Sequence, residues 1–156
     1  FLIASEINEN EIETKRSGYW TYYCKNYEEE KQCEIARKIN IEQQNETFLI
    51  VYKITKNVNA KIKESLNIMT PTAPRVNIKK RLKISFDDKT KFTRSFLECE
   101  ETRCLAVFKS NRTLKYSMKN FNKMKITFFG FEDEEPISLT LAMDGFKQAL
   151  DDLYQR

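Results

Sequence analysis

Gln32-Cys33-Glu34-Ile35-Ala36-Arg37-Lys38-Ile39-Asn40-Ile41 places Cys33, Ile35, Ile39 and Ile41 on one face of an extended chain and Gln32, Glu34, Lys38 and Asn40 on the other. Strand side chains alternate with a period of two, so this stretch is a strand with one face on a core and one in water. The period returns at Phe48, Ile50, Tyr52 and Ile54, and again at Ile78, Leu82, Ile84 and Phe86 before Asp87-Asp88-Lys89 supplies a turn. Further strands are expected over Tyr19–Cys24, Lys91–Cys99, Cys104–Lys109, Lys123–Phe131 and Ile137–Ala142, with another within Lys61–Met69 before Pro71 and Pro74 break the chain. So many short strands predict an all-β fold, β-sandwich-like, with antiparallel strands in two packed sheets. Helix is minor: Phe146, Ala149, Leu150 and Leu153 recur at i, i+3, i+4 and i+7, with Asp144 placed to cap a short C-terminal α-helix. A shorter helical turn is expected between Ser110 and Asn120.

The chain has 156 residues, the size of one domain, able to bury about two-thirds of its unfolded surface. Hydrophobic residues at 40% and charged residues at 32% exclude disorder, and no apolar run approaches the roughly 20 residues of a spanning helix. A net charge of +4 from 27 basic and 23 acidic residues is too balanced for a dedicated nucleic-acid binder. With only 3 glycines, a Gly-rich phosphate cradle has no material. No repeat or composition shift marks a linker, so residues 18–156 form a single domain. Residues 1–17 stand apart as an N-terminal segment, in which Phe1-Leu2-Ile3-Ala4-Ser5 reads as the end of a signal peptide; a short strand is the alternative.

Four cysteines form two close pairs, Cys24 with Cys33 and Cys99 with Cys104. Three connectivities are formally open. Local pairing is favoured, because each pair lies across a reversal between strands, where opposed Cα atoms stand about 4.5–5.5 Å apart. A four-cysteine zinc site is the rival, but the gaps do not match its usual two-to-four-residue spacing in both halves.

The ordered set Trp20-x3-Cys24, Cys33, Phe96-x2-Cys99, Cys104-x-Ala106, then Ser138-Leu139 leading to Gly145-Phe146-x2-Ala149-Leu150, resembles the invasion-associated locus B family of exported gram-negative envelope proteins. The resemblance runs from about Gly18 to Leu153. It departs at Arg103, where a glycine usually precedes the fourth cysteine, and around Pro71, which is not glycine-rich. The resemblance implies a β-sandwich-like fold, paired disulfides and export to the periplasm or outer envelope. It implies no catalytic residue, and no cofactor is expected.

Catalysis is also disfavoured by the residues themselves. Histidine is absent, which removes the commonest general base, the usual partner of a nucleophile and most catalytic zinc ligands. The acidic runs Glu28-Glu29-Glu30, Glu98-x-Glu100-Glu101 and Glu132-Asp133-Glu134-Glu135 fall in turns, where solvated charge is the ordinary reading. Calcium at the last run lacks EF-hand spacing and a turn glycine, so no metal is expected.

Two surfaces are candidates for binding. Alternation through Arg75–Ile84 sends Lys79, Arg81 and Lys83 to one outer face as a basic stripe, extended by Lys89, Lys91 and Arg94 from the next strand of the hairpin, with Lys80 as the misfit; the plainer reading is a solvated face that discourages edge pairing. Among the aromatics beside Cys24, Trp20 and Tyr22 share the inward face and pack a core, which leaves Tyr19 and Tyr23 outside. The expected function is a non-catalytic periplasmic or envelope protein that docks on another envelope or membrane protein as an accessory subunit. The alternative is a secreted adhesion-type module that recognises an anionic lipid, glycan or other anionic surface. No nucleic-acid partner is expected.

Overall fold

The alternation of Gln32–Ile41 becomes a central strand of a seven-stranded antiparallel sheet in the computed structural model, which describes residues 13–41, 46–71, 76–130 and 135–155. In chain order the strands are β1 (Lys15–Ser17), β2 (Trp20–Asn26), β3 (Glu30–Ile41), β4 (Glu46–Asn57), β5 (Ile62–Pro71), β6 (Leu82–Phe86), β7 (Thr90–Arg94), β8 (Glu98–Cys99), β9 (Arg103–Lys109), β10 (Lys123–Phe129) and β11 (Pro136–Ala142). The larger sheet runs β1-β2-β3-β4-β5-β9-β8, and the smaller one β11-β10-β6-β7. The inward residues that period two picks out, Ile35, Ile50, Leu66, Leu82, Ile84 and Ile126 among them, are fully buried. Phe48 of β4 meets Phe128 of β10 with ring centroids 5.7 Å apart, which joins the two sheets as a sandwich.

Helix α1 (Arg112–Asn120) starts at Asn111, whose Oδ1 accepts a hydrogen bond from the Leu114 N–H at 2.8 Å. Helix α2 (Phe146–Tyr154) buries Phe146, Ala149, Leu150 and Leu153, the stripe expected from the sequence. Asp144 does not cap α2. The N-cap is Gly145 at φ 93°, because two stretches of backbone cross there. A Cβ on Gly145 would lie 2.1 Å from the Ser17 carbonyl oxygen, and one on Gly18 would lie 2.3 Å from that of Asp144. Glycine at both positions lets the β1–β2 turn sit against the start of the last helix.

Both disulfides are local. Cys24 faces Cys33 across β2 and β3, and Cys99 faces Cys104 across β8 and β9, each with Cα atoms 4.0 Å apart. Trp20 is fully buried, its ring edge-on to Phe146 at 5.2 Å.

Three expectations are corrected. Lys91–Cys99 is not one strand: β7 closes the smaller sheet, and after Ser95 the chain crosses to β8, where the Leu97 N–H donates to the Leu105 carbonyl. Second, the strand expected from Ile78 starts at Leu82. Asn77 turns the chain there, since its side-chain oxygen accepts from the Lys79 N–H and its carbonyl from the Lys80 N–H. Ile78 is consequently 57% exposed instead of buried. Third, β1 draws residues 15–17 of the segment set apart as 1–17 into the sheet. The signal-peptide reading of Phe1–Ser5 lies outside the described residues, as does most of the acidic run Glu132–Glu135.

Candidate binding surfaces

The turn at Asn77 dissolves the basic stripe drawn along one strand. Lys79 lies in that turn, Arg81 precedes β6, and only Lys83 of the three is a strand residue. A broader basic surface replaces the stripe. With Leu82, Ile84 and Phe86 inward, Lys83 and Ser85 leave β6 on the outer face of the smaller sheet. Register sets Lys83 beside Thr127 and Thr93, and Ser85 between Lys125 and Lys91; Lys123 follows on the same face of β10. Four positions thus rise from one sheet face at separations of about 7–14 Å. None of Lys83, Lys91, Lys123 and Lys125 has an ion pair among the described residues. Asp87, at the rim, spends its carboxylate on the backbone N–H groups of Asn122 and Lys123 at 3.0 and 2.9 Å.

Hydroxyls fill the spaces between the amines. Ser85 and Thr127 are buried although they point outward, as expected where long lysine stems lie along a sheet. Thr127 and Ser138 pair through their hydroxyls at 3.2 Å. Lys80, the misfit of the sequence reading, turns its ammonium over the Phe129 ring at 4.4 Å.

Tyr19 and Tyr23 join neither this surface nor each other. Tyr19 occupies the β1–β2 turn, 54% exposed, with the Arg37 guanidinium 4.6 Å above its ring. Tyr23 points outward from the larger sheet, on the opposite side of the sandwich from the lysines, and its hydroxyl donates to Glu34 Oε1 at 2.9 Å. Burial, then the Glu34 carboxylate, pushes its pKa up to about 12.

A cleft of about 510 Å³ between β5 and α1 was not anticipated. At its base Glu64 takes an inward register between Ile62 and Leu66, with its side chain 12% exposed. Its Oε1 accepts from the hydroxyls of Tyr52 and Tyr154 at 2.8 and 2.6 Å, and its Oε2 from Lys115 Nζ at 2.8 Å. Burial pushes the carboxyl pKa up, but the bonds from Lys115, Tyr154 and Tyr52 outweigh it and hold the group below the usual carboxylate range. Burial, reinforced by the Glu64 charge, raises both phenols well above their ordinary value. The clasp is therefore one carboxylate acceptor ringed by three donors, which ties β5 to β4 and to both helices. The inward register of Glu64 was a readable signal; its partners, up to 90 residues away, were not.

The family model for the invasion-associated locus B protein matches residues 20–154. The chain belongs to the invasion-associated locus B family. Among solved structures, the chain is similar to the crystal structure of invasion associated protein B from Bartonella henselae. It superposes with a TM-score of 0.71 at 19% identity, over 92% of this chain and 96% of that one. At that identity the likeness is one of fold, and it supports the two-sheet architecture. A search of curated proteins found no match. The Gly-Phe and cysteine landmarks of the invasion-associated locus B pattern now have physical reasons: a backbone crossing at Gly145, a ring against Trp20, and two cross-strand staples.

Proposed function

We propose that this protein is a non-catalytic envelope component that docks on an acidic envelope protein through the outer face of its smaller sheet. Family membership implies an invasion-associated envelope protein, and two disulfides in a small domain suit an exported one. The observation that carries the docking reading is the face itself: Lys83, Lys91, Lys123 and Lys125 without a paired acid among the described residues, set among serine and threonine hydroxyls. Such a field steers and orients an acidic partner. It favours protein over lipid because Phe129, the aromatic ring of this face among the described residues, is half-buried beneath Lys80 and is not free to anchor in acyl chains.

The test is capture of the tagged protein's partner from solubilised envelopes, beside flotation with vesicles of anionic phospholipid. One envelope protein should be retained at about 0.05 M salt and released by about 0.5 M, where screening reaches only a few ångströms. Lys83→Glu with Lys125→Glu should abolish that retention while the fold persists, since both side chains point to solvent. Retention that survives the double reversal would overturn the reading. Salt-sensitive binding to vesicles, with no protein captured, would replace it with an anionic lipid surface.

A further inference from the structure

The β5–α1 cleft lies on different elements from the basic sheet face and differs from it in kind, being concave and walled by the Tyr116 ring and Ile62 as well as by charges. Three cations, Arg112, Lys115 and Lys119, line it against a single carboxylate, Glu64, which Lys115 already satisfies. Lys119 is loosely engaged with Asp151 at 3.4 Å, near the surface, and Arg112 has no ion pair among the described residues. The cleft therefore keeps an unspent guanidinium, whose planar fork matches a carboxylate in two parallel hydrogen bonds.

Around that fork stand groups that suit hydroxyls. Asn111 uses its Oδ1 on the helix cap and keeps its amide N–H groups; Asn120 uses its Nδ2 on the Tyr116 carbonyl and keeps its side-chain oxygen. A donor and an acceptor thus border the two ends of α1. Tyr116 presents a ring that is 59% exposed and braced edge-on by Phe121 at 6.2 Å, and Ile62 faces solvent across the cleft at 53%. An exposed, braced ring offers a flat apolar face, the surface that the C–H side of a sugar covers. A volume of about 510 Å³ falls in the range that holds a small ligand.

We propose that this cleft binds a short acidic glycan laid along α1, with carboxylates on Arg112 and Lys119, a sugar ring against Tyr116, and hydroxyls of successive units on Asn111 and Asn120, which stand about 13 Å apart at the two ends of the helix. Glu64 takes no part in recognition. Its clasp on Tyr52, Tyr154 and Lys115 fixes the floor and aligns α1 with β5.

The test is amide shift titration of the labelled full chain with a galacturonate oligosaccharide, its neutral methyl ester, and inorganic phosphate. Shifts on adding the acid form should gather at residues 110–120 and at Ile62–Glu64, and the ester should bind at least tenfold more weakly. Arg112→Gln and Tyr116→Ala, both exposed and outside the clasp, should each weaken binding at least tenfold with unchanged spectra elsewhere. Equal binding of ester and acid would overturn the proposal, as would phosphate reproducing the same shifts at the same concentration. So would shifts confined to Lys83, Lys91, Lys123 and Lys125, which report general anion attraction. Lys83→Glu with Lys125→Glu should leave the titration intact, so the failure of either site is distinguishable from that of the other.

Discussion

Glu64 keeps its charge at a nearly closed position because three donors were brought to it from β4, α1 and α2. Removing the charge while keeping the shape, as in Glu64→Gln, should cost about 2–4 kcal/mol at neutral pH, since it weakens three charge-assisted bonds and leaves Lys115 without its acid. The folded pKa is depressed, so the contribution is fully present above the unfolded value of about 4.3 and is lost as pH falls through the folded one. Urea midpoints of parent and variant should therefore converge on going from about pH 5 to pH 2. A gap that stays constant through the acid range would show that the bonds do not depend on ionisation. At this scale the sequence was legible wherever a residue's face depends on its neighbours: Trp20 and Tyr22 inward, Tyr23 outward. It was silent where a side chain depends on distant chain, as with Glu64 or with Arg37. Arg37 occupies an inward register between Ile35 and Ile39 and donates to the Ala142 carbonyl at 2.6 Å.

Strands were readable because burial of one face imposes a period of two, and β3, β4, β9 and β10 lie close to where alternation put them. The errors occur where the polypeptide leaves a sheet. At Asn77–Arg81 a side-chain-stabilised turn outcompetes extension, and at Ser95–Leu97 a continuous apolar-rich run hides a change of sheet. The basic face was half visible for the same reason: Lys83 and Lys91 follow from a hairpin of sequence neighbours, but Lys123 and Lys125 depend on strand order. The disulfides were readable because each bridges sequence neighbours, and their effects should differ by element. Replacing Cys99 and Cys104 by serine should cost about 2 kcal/mol and free β8, a two-residue strand, so that amides at Leu97–Cys99 exchange faster while β9 stays protected. Replacing Cys24 and Cys33 should cost about 3 kcal/mol and loosen β2, which carries Trp20. Non-reducing peptide maps of the parent should recover those two links and no free thiol. Four alkylatable cysteines would remove both staples and the export argument with them.

The two ends of the described chain close the molecule together. Ser17 and Gly18 lie against Asp144 and Gly145, Lys15 approaches Asp152 at 3.9 Å, the Tyr22 hydroxyl donates to Asp152 at 2.9 Å, and Phe146 lies edge-on to both Trp20 and Tyr52 at 5.2 and 5.4 Å. At nine residues α2 is too short to be stable alone, since isolated helices need about 12–15, so it forms only on a sheet already in place. The sheet in turn needs the helix, because without it Trp20 and Tyr52, both fully buried, lose the ring that covers them. Contacts this distant in sequence make folding slow, in the range of about milliseconds to seconds typical of sandwiches, and they make it cooperative. Phe146→Ala should consequently cost about 3–5 kcal/mol, the cavity left by an aromatic truncation, while a chain ending at Met143 should not reach the native state. Trp20 is the single tryptophan, so its fluorescence reports on this junction alone. In Phe146→Ala the emission of the folded protein should stay blue-shifted and the urea midpoint should fall; in the shortened chain the emission should be that of solvated indole before any urea is added. If the shortened chain keeps a buried tryptophan and a sharp transition, the larger sheet is stable by itself and α2 is an accessory to the fold instead of its closing element.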